Sequence, residues 1–159
     1  MYRKVFVLVL LLSSGFARAE LPGVLRWDVQ QDFTRTYREV YRSLENYRFF
    51  IVYEANIGHD LQGYAARRGE GYDRNELHEI RSMVFINVSY INQLGDQDPD
   101  LLSLCPLHIM MFQKGPTTSI LFTRPTYAGQ GSVAMPLLKG IEDEVSKAVE
   151  SGITAAQGR

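Results

Sequence analysis

The sequence predicts an α+β fold in which an antiparallel sheet of about five strands carries two main helices on one face, in the order β-α-β-β-β-β-α. A helical insertion is expected after the second strand. Three observations predict this. Apolar residues alternate with period two near the start of the chain, a strongly amphipathic stretch follows, and the closing segment repeats its apolar residues at helical spacing. Short connections then favour pairing between strands that follow one another.

The first element of the native domain is expected only after a leader. Arg3 and Lys4 make a basic start, residues 5–12 are an unbroken apolar run, and Ala17-Arg18-Ala19 places small residues before a cut at Glu20. These are the parts of a secretory signal peptide, residues 1–19, and the apolar run is shorter than the roughly 20 residues a membrane span needs. The mature chain, 20–159, is then a single domain of periplasmic localisation with no membrane span. The leader carries three basic residues and no acidic one, so the whole-chain charge of −1 becomes −4 on removal. A mildly acidic domain has no electrostatic footprint for nucleic acid.

Leu25, Trp27 and Val29 alternate with Arg26, Asp28 and Gln30, as in a half-buried strand. Asp32 is placed to cap a helix carrying Phe33, Tyr37, Val40, Tyr41 and Leu44 on one face. Residues 49–53 are continuously apolar and aromatic, which reads as a central strand. The glycine-rich stretch 56–82 is the least regular, with a short helix expected around Ile57, Leu61, Tyr64 and Ala65. Asp73 and Glu76 resemble a capping box ahead of a helix holding Leu77 and Ile80. Residues 83–91 read as a strand covered on both faces. A strand position also fits Asn87-Val88-Ser89 better than its formal match to a glycosylation sequon. Asp96-Gln97-Asp98-Pro99 reads as a turn or loop, because proline biases its predecessor away from helix. Residues 107–112 and 119–123 are strands around the Lys114-Gly115-Pro116-Thr117 turn. Pro125, Gly129 and Gly131 open a loop, and Ser132 could cap a last helix with Pro136 in its first turn. There Leu137, Leu138, Ile141, Val145, Ala148 and Val149 form the buried stripe. Glu142, Asp143, Glu144 and Lys147 are expected in water, with fraying from Gly152 onward.

The ordered set Asp98-Pro99, then Leu104-Cys105-Pro106-Leu107-His108-Ile109, the Lys114-Gly115 turn, the next strand and Pro125 resembles the prokaryotic family called domain of unknown function 302. The long helix over 32–47 and the run Phe85-Ile86-Asn87-Val88 belong to the same resemblance, which covers about residues 24–150. It implies a curved antiparallel sheet with two main helices, similar to the TATA-box-binding-protein-like arrangement. DNA binding does not follow from that likeness, since fold does not carry function. The resemblance supplies no catalytic residues. The leader and the spacing of the glycine-rich segment 58–72 depart from the usual pattern of the family.

Two constellations could carry chemistry. A thiolate and an imidazole can share a soft metal, so Cys105, His108 and Met110 outline a metal- or redox-linked site. Strand alternation works against it, because positions 105 and 108 point to opposite faces while His108 and Met110 share one. A free cysteine is also among the most buried residue types. Cys-x-x-Cys chemistry and covalent c-type haem both need a second cysteine, and the chain has one. No cofactor is therefore expected. The second constellation is His59, Tyr64, Arg67, Arg68 and Tyr72, whose arginines and tyrosines suit recognition of small anions or aromatic groups. His78 and its acidic neighbours lack the spacing of a zinc site. No nucleophile elbow, phosphate loop or dinucleotide fingerprint occurs. The expectation is an exported, non-enzymatic domain binding a small ligand or partner protein in the space between the sheet and residues 57–82. A metal- or redox-linked accessory protein is the alternative. A homodimer stays open, because apolar strands at a sheet edge invite pairing.

Overall fold

The computed structural model describes residues 21–68, 77 and 79–158. The leader, the Asp73/Glu76 capping box and His78 lie outside the described residues. Five strands form one antiparallel sheet in the order β1-β5-β4-β3-β2: β1 (Val24–Val29), β2 (Phe50–Asn56), β3 (Glu79–Ile86), β4 (Leu107–Lys114) and β5 (Thr117–Thr123). Consecutive strands β2 to β5 pair as neighbours, and the first strand closes the far edge against β5. A two-residue turn joins β4 to β5, and Gly115 takes the positive φ of 55° that such a turn demands. No helix among the described residues is long and apolar enough to cross a membrane.

Period-two alternation divides the sheet into two faces. Leu25, Trp27 and Val29 share one face with Phe122, Ile120, Ile109, Met111, Met83 and Phe85. Two helices cover that face, α1 (Phe33–Asn46) and α5 (Met135–Ala156), and they pack mainly on each other. Asp32 starts α1 as expected, its carboxylate accepting from the Arg35 N–H at 2.8 Å. Phe33, Tyr37, Val40 and Leu44 are buried from α1, as are Leu138, Ile141, Val145, Ala148 and Val149 from α5. Gly152 marks the closest approach of the two: a Cβ there would lie 2.6 Å from Val40 Cα. The helix therefore runs on to Ala156 instead of fraying at Gly152.

Other expectations are corrected. β2 is an edge strand and not a central one, with Phe50, Val52 and Tyr53 54%, 53% and 63% exposed and a bulge between Ile51 and Tyr53. Ile80 belongs to β3 and not to a helix. The strand expected over 83–91 ends at Ile86. Asn87 then caps helix α3 (Val88–Gln97), accepting from the Ser89 and Tyr90 N–H groups, so the sequon asparagine sits at a helix start. Helix α3 occupies part of the expected turn at 96–99, and a 3₁₀ turn follows over Pro99–Leu104. The loop after Pro125 begins with a short helix α4 (Pro125–Ala128). The insertion after β2 is helix α2 (Ile57–Arg68), which packs on β3. Glu142 is the clearest reversal. It is only 7% exposed, because Arg124 donates to it from Nε at 2.9 Å and pairs through its terminal nitrogen at 2.8 Å, while the Thr126 hydroxyl also donates to it.

Candidate functional site

The alternation that turns Trp27 and Val29 toward the core sends Arg26 and Asp28 to the second face, away from α1 and α5. Register then gathers partners from two more strands. Asp28 lies opposite Ser119 of β5, and Ser119 lies opposite Phe112 of β4. The Arg26 guanidinium holds Asp28 through Nε at 2.8 Å and a terminal nitrogen at 2.7 Å, and donates to Ser119 Oγ at 2.8 Å. The Ser119 hydroxyl donates in turn to Asp28 at 2.6 Å. The guanidinium carbon lies 5.4 Å from the centroid of the Phe112 ring, within cation–π range. At the hairpin end, Gln30 donates to Thr117 Oγ1 at 2.6 Å.

These residues line a recess of about 480 Å³ together with Leu77 and Lys114. That volume lies within the range of small-molecule sites. The hydrogen-bonded triangle of Arg26, Asp28 and Ser119 forms its polar side, and Phe112 and Leu77 supply apolar surface.

The residues singled out from sequence divide between three places. His59 and Tyr64 stand on α2, His59 with its side chain largely in solvent and Tyr64 half-exposed, and His59 Nδ1 lies 3.7 Å from Asp60 Oδ1. Arg67 and Arg68 belong to the last turn of α2, while Tyr72 lies outside the described residues. Cys105 is half-buried before β4 and lines an apolar crevice of about 10 Å³ between α3, α5 and the strand ends. Burial pushes its thiol pKa up, against the formation of a thiolate. His108 is exposed and lines a separate cleft of about 220 Å³ with Arg124 and Pro125. Met110 shares the face of His108, as alternation requires, but Cys105 lines the crevice and not that cleft. Among the described residues, no three His, Cys, Asp or Glu side chains gather as a metal ion would require.

Sequence reasoning passed over Arg26, Asp28, Phe112 and Ser119, which read only as the polar or apolar sides of strands. The available signal was the Arg-x-Asp spacing within β1, since charges two apart on a strand share a face.

A family model described as "Domain of unknown function DUF302" matches residues 25–156. Among solved structures, the chain is similar to an uncharacterised conserved DUF302 protein from Bacillus stearothermophilus. The TM-score is 0.71 at 16% identity, over 82% of this chain and 98% of that one. The likeness shows a shared α+β fold. No curated protein matches the chain.

Proposed function

The chain belongs to the family of domain of unknown function DUF302, and from that premise we propose that it is an exported, periplasmic binding domain, not an enzyme, that takes a small ligand in the recess on the second face of its sheet. One observation carries the reading: a ligand-sized recess whose charged wall is already held in place by Arg26, Asp28 and Ser119. Side chains fixed before binding lose little entropy when the ligand arrives, which is what a recognition site needs. Export rests on the basic start, the apolar run over 5–12 and the Ala17-Arg18-Ala19 cut. Tyr64, with His59, Arg67, Arg68 and Tyr72, belongs to the insertion between β2 and β3 that leads back to Leu77. Of these, His59 and Tyr64 are not among the residues that line the recess.

The test is native mass spectrometry of the protein recovered from the periplasmic fraction of its host. The expected result is a mature mass beginning at Glu20 and a bound small molecule lost in Phe112→Ala. An unprocessed chain in the cytosol refutes export, and a bound molecule unaffected by Phe112→Ala refutes the site. Elemental analysis of the same sample addresses the alternative built on Cys105, His108 and Met110. A stoichiometric metal lost in Cys105→Ser replaces the binding-domain reading with that one.

A further inference from the structure

We propose that the leader is removed before the domain folds, because the native fold grips the chain immediately after the cut. This rests on the export reading above and adds the order of its steps. Chain ends are ordinarily poorly ordered unless something ties them down. Here the tie begins at the first described residues. Leu21, Pro22, Gly23 and Val24 form a turn in which the Val24 N–H donates to the Leu21 carbonyl at 3.0 Å. A cut between Ala19 and Glu20 leaves Glu20 alone between the scissile bond and that turn, a span of about 3.5 Å of extended chain.

The turn is fixed from three sides. Val24 opens β1 and pairs with Thr123. The Arg124 backbone N–H donates to the Gly23 carbonyl at 2.9 Å, and an Arg124 terminal nitrogen reaches the Pro22 carbonyl at 3.4 Å. Glu142 of α5 holds the rest of that guanidinium, so the grip on Pro22 runs back into a core helix. Tyr127 of α4 closes over Gly23, where a Cβ would lie 2.7 Å from the ring, a contact that the missing side chain permits. A peptidase takes its substrate as an extended segment reaching past the scissile bond on both sides. A turn cannot be extended while its hydrogen bond stands. Cutting the native chain therefore waits on opening of the turn and of the start of β1, and proceeds only through that opened fraction. In the unfolded chain the same residues extend at no such cost.

Two full-length precursors decide it, the unaltered chain and one with a Gly-Ser spacer of about ten residues inserted between Glu20 and Leu21. Both are folded in detergent micelles, checked by their urea midpoints and incubated with purified signal peptidase, and the product masses are followed over time. The spacer precursor is expected to be cut after Ala19 about 100-fold faster than the unaltered one. Tyr127→Ala takes the ring off Gly23 and leaves the residues around the cut unchanged, and it is expected to speed the unaltered precursor severalfold. Equal rates for the two precursors overturn the order of steps and leave export standing, since both are then cut after Ala19. A spacer effect without a Tyr127→Ala effect overturns the role given to the turn. No cut after Ala19 in either precursor overturns both this inference and the export reading.

Discussion

The two faces of this sheet come from the same strands, yet they are built on opposite terms. The face under α1 and α5 is a continuous apolar core in which Phe85, Ile109, Met111, Ile120 and Phe122 are shielded almost completely. The face bearing Arg26, Asp28 and Ser119 keeps a charged triangle in contact with a recess. Alternation along each strand makes both at once, so every residue that strengthens one face leaves its neighbour to the other. The buried apolar packing therefore lies on the first face, and the proposed binding recess on the second.

The largest effect that would break this contrast is a matched pair of truncations on adjacent strands. Phe122→Ala opens a hole in the core and is expected to cost about 3–5 kcal/mol in urea unfolding. Phe112→Ala removes a half-buried ring from the second face and should cost under about 1.5 kcal/mol. If both variants lost the same stability, the second face would be part of the core and the division proposed here would fail.

Ion pairs give a smaller version of the same comparison. Glu142 is buried and takes charge-assisted hydrogen bonds from Arg124 and a further bond from the Thr126 hydroxyl, tying α5 to the segment after β5. Glu142→Ala strands those donors and should cost about 2 kcal/mol. Arg26→Met breaks a pair whose Asp28 side chain is 47% exposed, and should cost about 0–1 kcal/mol. Urea midpoints measured side by side decide it, and equal losses would mean that the Arg26 triangle holds the fold together as well as the recess.

The sequence made the covered face far more legible than the other. The stripe Phe33, Tyr37, Val40, Leu44 and the alternation of β1 each bury a regular spacing, and regular spacing is visible in one dimension. Exceptions were hidden wherever a residue's environment depends on a distant partner. Glu142 sits among Asp143 and Glu144 and reads as solvent-facing until Arg124 arrives from another element. Phe50, Val52 and Tyr53 read as interior because the run is apolar, but strand order leaves them at an edge. Asn87 reads as a strand residue because its capping role uses backbone groups and not the pattern of its neighbours. The recess is the extreme case. Arg26, Phe112 and Ser119 meet only through the pairing of three strands whose register no local pattern announces.

The smallest expected effect concerns the rim of the covered face, and it carries a sign. Tyr90 stacks on Phe49 with ring centroids 6.2 Å apart. Burial, reinforced by its hydrogen bond to Glu144 and the charge of that carboxylate, pushes its pKa up to about 12. An unfolded tyrosine titrates near 10, so between the two values the folded state holds a proton that the unfolded state has released. Stability from this contact is then complete below about pH 10 and declines as pH rises toward 12. Tyr37 behaves in the same sense through burial and its bond to Glu54, so Tyr90→Phe should make the alkaline decline shallower without abolishing it. The measurement is the urea midpoint at pH 8, 10 and 11 in a Cys105→Ala background, which removes the half-buried thiol's own alkaline contribution. Arg26→Met in that background should leave the slope untouched, because its contacts lie on the other face. A slope that responded to Arg26 and not to Tyr90 would place the proton-linked contacts on the recess side of the sheet and invert the assignment of roles.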